Sequence, residues 1–315
     1  LLIRLMEYLL LILGLAILIV GGEFLVKGAV GIAHRYELSP LVVGMTIVSF
    51  GTSAPELLVS VQAALEGHPQ ISIGNVVGSN IANLALVLGI TTIIFPMSVK
   101  GDTIKIDWPM MMGATVLFYL AIVFDSILNW YEGLAFVLIL ATFVVWLIRK
   151  SRAEKNEDDK IEQKEKAANI LSSILFIIGG CIGLSFGAKF LLDNAVKIAA
   201  NFEVSEHIIA ATIVAFGTSV PELTTSCIAA FKKQTDISLG NLIGSNLFNI
   251  LGILGITGMI TEIPISADVM SYDIFWMLGI SFFILPLVLF GKKISKFGGV
   301  ILFATYILYI IFLLN

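Results

Sequence analysis

The stretch FGTSAPELLVS, Phe50 to Ser60, sets a carboxylate (Glu56) directly after a helix breaker (Pro55), and AFGTSVPELTTS, Ala215 to Ser226, repeats the arrangement. Both lie in a chain of 315 residues that is 58% hydrophobic and only 13% charged, with a mean hydropathy of +0.99. That composition is far more apolar than a soluble domain and marks an integral membrane protein. A helix needs roughly 20 apolar residues to cross hydrocarbon. Such runs recur near 5–30, 40–64, 74–96, 108–124, 131–149, 169–199, 206–230, 240–260, 270–290 and 298–314. The expected fold is all-α, with ten membrane-spanning helices of which the second and seventh are broken. Arg4 ahead of the first run resembles the start of a secretory leader, but no small-residue cleavage site follows, and the run is part of a repeat. The chain starts at Leu1 rather than Met, so a few preceding residues are expected.

Adding 166 to a number in the first half gives its counterpart in the second, without a gap from about Gly14 to Thr91. Phe24 pairs with Phe190, Ala29 with Ala195, Ser39 with Ser205 and Asn83 with Asn249. From Phe50 to Ile90, 21 of 41 positions are identical to Phe216 to Ile256. Two greasy helices share Leu, Ile and Val by chance, whereas these matches are mostly Gly, Thr, Ser, Pro, Glu and Asn. The chain is an internal duplication. Each copy holds five spans, an odd number, so the second must enter the membrane from the opposite face as an inverted repeat. The expected units are 1–149 and 169–315, joined by a polar linker at 150–168. Of 19 Lys and Arg, 15 fall in alternate connections, among them Arg35, Lys100, Lys105, Lys232, Lys233, Lys292, Lys293 and Lys296. By the positive-inside rule that face is cytoplasmic and both termini lie outside. The run RKSRAEKNEDDKIEQKEK, Arg149 to Lys166, mixes seven bases with six acids and shows no ligand pattern, as expected of a solvated linker.

A carboxylate at bilayer depth costs about 2.5 to 3.5 kcal/mol on the mild insertion scales, so it faces protein or water and usually acts on an ion. No Lys or Arg accompanies either motif, so Glu56 and Glu222 leave about two negative charges to be matched. One divalent or two monovalent cations would match them. Pro55 and Pro221 lack an N–H and clash with carbonyls near Gly51 and Gly217, so both helices should break there. Broken backbone at that depth lines a cavity and offers carbonyl oxygens. Thr52, Glu56 and Ser60 share a helical face, as do Thr218, Glu222 and Ser226. ISIGNVVGSNIANLALVLG, Ile71 to Gly89, and ISLGNLIGSNLFNILGILG, Ile237 to Gly255, follow. In these, Asn75, Ser79 and Asn83, and likewise Asn241, Ser245 and Asn249, form polar faces that favour coordination over interhelical bonding. Gly74 with Gly78 and Gly240 with Gly244 are GxxxG pairs expected in close packing. An all-oxygen set without Cys or His suits Ca²⁺ or Na⁺ rather than zinc or copper. Cys181 and Cys227 read as small buried residues, and His34, His68 and His207 stand far apart at span ends.

With GTSAPE followed by GNVVGSNIAN, and GTSVPE followed by GNLIGSNLFN, the chain closely resembles the calcium:cation antiporter superfamily, specifically its sodium/calcium exchanger family of prokaryotic type. The resemblance covers all ten spans and implies two inverted five-helix repeats around the ions. Carried over by motif, Glu56 and Glu222 would be ligands shared by Ca²⁺ and Na⁺, and Thr52 and Thr218 would complete the calcium site. Ser53, Ser79, Asn83, Thr218, Ser219, Ser245 and Asn249, with the carbonyls of Ser49 and Ala215, would serve flanking sodium sites. The first and sixth helices, around Gly14 to Gly31 and Gly179 to Gly187, would move past the core in alternating access. Asn83 and Asn249 are both amides where potassium-dependent relatives carry an acid at the second position, which implies independence of K⁺. Proton/calcium exchangers typically carry a GNAxE-like motif in place of GTSxPE.

The implied function is electrogenic exchange of Ca²⁺ for Na⁺ in the cell membrane, by a monomer in the lipid bilayer, with no cofactor and no nucleic-acid partner. A proton/calcium antiporter remains an alternative. A calcium channel would more usually gather its filter from identical subunits. An enzyme is disfavoured, because the sequence has no HExxH, nucleophile elbow or paired catalytic Asp.

Overall fold

The structure is a computed structural model that describes residues 2–99, 101–153, 169–204, 209, 212, 213, 215–289 and 293–314. Helix α1 (Leu2–Arg35) opens the chain and runs past the expected end, since no breaker intervenes before the turn at Glu37, whose φ is 58°. Ser39 caps α2 (Pro40–Val43) by accepting from Val42 N, and a π-helical turn (Gly44–Val48) leads into α3 (Ser49–Thr52). Ser53 leaves the helix at φ −88°, ψ 3°, and α4 (Ala54–Leu65) departs at 47°. The break therefore falls at Ser53, two residues beyond the Gly51 expected from sequence. Pro55 is the second residue of the new helix, where a missing N–H forfeits no intrahelical bond. It starts a helix rather than kinking one.

Next come α5 (Gln70–Ile81), a π turn (Ala82–Val87), α6 (Leu88–Ile94), β1 (Met97–Ser98), a π turn (Thr103–Asp107), α7 (Trp108–Ile122), β2 (Ile127–Leu128) and α8 (Trp130–Ala153). The second copy holds α9 (Ile170–Asn201), α10 (Ala215–Thr218), α11 (Val220–Phe231), α12 (Thr235–Leu247), a π turn (Phe248–Leu254) and α13 (Gly255–Ile260). It ends with β3 (Ile263–Pro264), a π turn (Val269–Asp273), α14 (Ile274–Leu289), β4 (Lys293–Ile294) and α15 (Lys296–Leu313). Ser219 breaks the second copy at φ −93°, ψ 4°, again two residues past the expected Gly217.

Among the described residues, seven helices are long and apolar enough to cross a membrane, and the bent pair Pro40–Thr52 with Ala54–Leu65 makes an eighth. The sequence predicts ten. Of the other two, α7 has 15 residues, with Asp102, Lys105 and Asp107 just before it. The 206–230 run includes residues outside the described set, as do His207, Ser205, Lys100, Lys292 and most of the 150–168 linker. Helix α8 continues through Ala153, so the start of that linker is helical.

The copies contact one another reciprocally. Strand β1 pairs with β4 (Met97 opposite Ile294), and β2 pairs with β3 (Leu128 opposite Ile263), both antiparallel. Ile263 is Met97 plus 166 and Ile294 is Leu128 plus 166, so one contact is made twice with the copies exchanged, as a two-fold axis requires. Helices α1 and α9 follow the same rule. A Cβ on Gly14 would lie 2.6 Å from Leu191 N, and one on Gly180 2.6 Å from Leu25 N, so their backbones touch where only glycine fits. The spans Gln70–Ile94 and Thr235–Ile260 are 78% buried, against 17 to 33% for the other five unbent spans. Their apolar sides, with Val76, Leu84 and Leu88 matched by Leu242, Ile250 and Leu254, form the central core. Their polar sides meet the broken helices.

Candidate functional site

Glu56 and Glu222 each occupy the first turn of a half-helix, α4 and α11. A helix N-terminus carries unsatisfied N–H groups and the positive end of the dipole, which favours an acid there. The preceding half-helix points the opposite pole, with its carbonyls, at the same break. The Ser49 carbonyl lies there, accepts from Ser53 N at 2.9 Å and stands 3.3 Å from Thr52 Oγ1. Both acids are buried, at 3% and 0% exposure, and they approach closely enough to repel one another. Ser53 Oγ donates to Glu222 Oε1 at 3.4 Å across the copies. Among the described residues, Glu56 Oε1, Glu56 Oε2 and Glu222 Oε2 have no hydrogen-bond partner, and no Lys or Arg forms an ion pair with either acid. Two buried anions left in that state cost several kcal/mol each unless a cation joins them.

Other oxygens are held in the same condition. Ser79, Asn83, Ser219 and Asn249 are buried, and each has a side-chain oxygen without a partner. Thr52 instead spans the copies, donating to Asn241 Oδ1 at 3.1 Å and lying 3.3 Å from Ser245 Oγ. Thr218 is half-buried beside Ser219, and Ala215 begins α10. The structure thus joins Ser53 to Glu222 and Thr52 to Ser245, while Ser79, Asn83 and Asn249 stand on the facing polar helices.

Two expectations change. Asn75 Nδ2 donates to Ser60 Oγ at 3.0 Å and to the Glu56 carbonyl at 3.2 Å, and Asn241 Nδ2 donates to Ser226 Oγ at 3.0 Å. These nitrogens fasten each polar helix to its broken helix, interhelical bonding that the sequence ranks below coordination. Close packing at the GxxxG glycines holds in one copy. Gly240 lies against Leu41 O, and a Cβ on Gly244 would be 2.6 Å from Met45 Cα. A Cβ on Gly74 or Gly78 meets no described atom within 4 Å. The segment from Pro40 to Val48 covers the second polar helix, leaving Asn241 buried, whereas Gly74 is exposed and Asn75 half-buried. Among the described residues, the second polar helix is covered along this side and the first is not.

Sequence reasoning passed over Asn80 and Asn246. Asn80 Nδ2 donates to the Asn246 carbonyl at 3.3 Å, and Asn249 Nδ2 donates to Asn80 Oδ1 at 3.1 Å. A carbonyl only accepts, which fixes the orientation of the Asn80 amide and, through it, that of Asn249. Asn249 therefore keeps its nitrogen on Asn80 and its oxygen free. The available signal was the identity of Asn80 with Asn246 in both copies of GSN.

Known proteins share this architecture and sequence. A putative antiporter, CaxA of Alkalimonas amylolytica, is 34% identical over 305 residues, 95% of each chain. The sodium/calcium exchanger MaX1 of Methanosarcina acetivorans is 30% identical over 343 aligned positions, 98% of each chain. Among solved structures, the sodium-calcium exchanger NCX_Mj soaked without Na⁺ and Ca²⁺ superposes with a TM-score of 0.83 at 30% identity, over 98% of this chain and 99% of that one. The family described as sodium/calcium exchanger protein matches residues 6–149 and again 172–315, one match for each copy of the repeat. The chain belongs to the sodium/calcium exchanger protein family.

Proposed function

We propose that the protein is a secondary active antiporter that exchanges Ca²⁺ for Na⁺ across the cell membrane by alternating access. The observation that carries this reading is the facing pair Glu56 and Glu222, buried without a basic partner and with three carboxylate oxygens unpaired. Ca²⁺ takes six to eight oxygens at about 2.3 to 2.6 Å. Glu56, Glu222, Thr52 and Thr218 supply its site, and Ser49, Ser53, Ser79, Asn83, Ala215, Ser219, Ser245 and Asn249 supply the flanking Na⁺ positions. Because both ions use the same two acids, their occupancy is mutually exclusive, which couples the fluxes.

The ten-helix arrangement, with its halves inverted and both termini outside, is part of the same reading. The strand pairs support it, since β1 and β4 must share one face and β2 and β3 the other. The basic connections then lie in the cytoplasm. One chain holds both halves of the site, so a monomer suffices. Amides at positions 83 and 249 keep the site at two formal negative charges and independent of K⁺. More than two Na⁺ per Ca²⁺ makes transport electrogenic, each net charge being worth roughly 2.3 kcal/mol per 100 mV.

The test is uptake of radiolabelled Ca²⁺ into proteoliposomes with Na⁺, K⁺ or H⁺ gradients imposed in turn. An opposing Na⁺ gradient should drive it and the other two should not. Uptake driven by H⁺ alone would make the protein a proton/calcium antiporter, and uptake without any gradient a channel. Asn80→Ala, which releases the Asn249 amide, should weaken apparent Na⁺ affinity about tenfold, the equivalent of one buried hydrogen bond. Unchanged Na⁺ dependence of the flux would remove Asn249 from the sodium sites.

A further inference from the structure

The duplication also carries an acidic pair that the exchange site does not use. Asp102 and Asp107 bracket the π turn Thr103–Asp107, and Asp268 and Asp273 bracket its counterpart, 166 residues on. A π turn closes residue i on i+5, so each turn brings its two carboxylates to one side. In the second copy the inner acid is satisfied, because Tyr309 OH donates to Asp273 Oδ1 at 3.1 Å. The residue 166 before Tyr309 is Phe143, which has no hydroxyl to give.

Asp107 is only 2% exposed, and its Oδ2 has no partner among the described residues. It borders a cavity of about 130 Å³ with Ser39, Asp102, Leu147, Lys150 and Ser151. Lys150 Nζ bonds Asp102 Oδ2 at 2.8 Å, which neutralises one of the two acids. Ser39 N donates to Ser151 Oγ at 2.8 Å, closing the wall between the start of α2 and the end of α8. Among the described residues, the cavity therefore presents carboxylate and hydroxyl oxygens, no sulfur or imidazole, and two acids to one base. Hard oxygen donors select a hard cation, and a single charge matches a monovalent one. A divalent ion would need Lys150 to leave Asp102.

We infer that this cavity is a second cation site, separate from the transported ions, which takes Na⁺ or K⁺ on Asp107 at the mouth of the broken helix α2. The topology proposed above places it on the cytoplasmic face. Its occupant joins the start of α7 to the Ser39 cap of α2 and the end of α8, the junction at which the segment covering the second polar helix begins. The cation there is a brace on that segment rather than cargo.

The test is the thermal unfolding midpoint of the purified full chain carrying Glu56→Gln and Glu222→Gln, so that the exchange acids cannot answer. Na⁺, K⁺, Ca²⁺ and choline are compared at equal ionic strength. Na⁺ or K⁺ should raise the midpoint by about 2 to 4 °C over choline, the size that one occupied site gives at saturating ion. The arm with the larger rise names the ion. Asp107→Asn should erase the rise. Phe143→Tyr, which offers the hydroxyl that the second copy uses, should erase it while leaving the choline midpoint unchanged or higher, and it decides the matter if Asp107→Asn does not fold. A parent without a rise, a rise that survives in either variant, or a rise with Ca²⁺ alone would overturn the assignment. The readout involves no flux, so it stands or falls separately from exchange.

Discussion

Replacing Glu222 with Gln is expected to abolish Na⁺-driven Ca²⁺ uptake into proteoliposomes, and Glu56→Gln to do the same. Each substitution keeps the side-chain volume and one carbonyl oxygen but removes one of the two charges that would hold Ca²⁺. At an effective dielectric constant near 20, a pair of unit charges 4 Å apart is worth about 4 kcal/mol, and a divalent ion doubles it. Losing only half of that is a factor of about 10³ in affinity. The same variants should be more resistant to heat than the parent in ion-free buffer, because each removes a repulsion between adjacent buried carboxylates. Lost flux together with gained stability identifies a ligand. Lost flux with lost stability would instead mean a structural acid, and normal flux in either variant would sink the site.

The second large effect comes from two glycines that the sequence makes equivalent. Gly240→Leu should reduce exchange more than tenfold and lower stability, whereas Gly74→Leu, 166 residues earlier, should do much less. Gly240 sits against the Leu41 carbonyl, and a Cβ on Gly44 would lie 2.5 Å from Ile237 O, so α2 and α12 meet backbone to backbone. Overpacking such a contact costs about 1 to 3 kcal/mol for small additions, and Leu adds four carbons. The segment from Pro40 to Val48 must then lift away from the site. Around Gly74 no described atom lies within 4 Å of a Cβ. Equal losses in flux assays of the two variants would show that the two sides are closed alike.

The duplication, the helix breaks and the buried acids are legible because Gly, Pro, Glu and Asn at fixed spacing carry chemistry that Leu, Ile and Val cannot imitate. Other features left no such trace. Met97-Ser98 and Ile263-Pro264 occupy equivalent places in the strand pairs but share no residue, since a two-residue ladder is held by backbone groups alone. The break at Ser53 rather than Gly51 turns on proline being accepted at a helix start, which the motif itself does not announce. The bracing role of Asn80 needs the distance to Asn246 in the other copy, across 166 residues of sequence. Asn75 and Asn241 share a face with Ser79 and Ser245, yet their nitrogens are spent on Ser60 and Ser226. Periodicity gives the face of a helix but not which of its donors are already engaged.

The reciprocal strand pairs have a mechanical consequence. The β1–β4 clasp stands before α7 and behind α14, and the β2–β3 clasp behind α7 and before α14, so these helices are fastened to the opposite copy at both ends. A frame held at two ends resists hinging in the middle, and an ion path cannot be opened by parting its halves without tearing a ladder. Helices α1 and α9 lie outside those clasps and meet one another closely at bare glycine backbone. The molecule is thus built as a clasped frame with a glycine-faced helix pair laid across it, and under the antiport proposed above that pair is the part left free to slide.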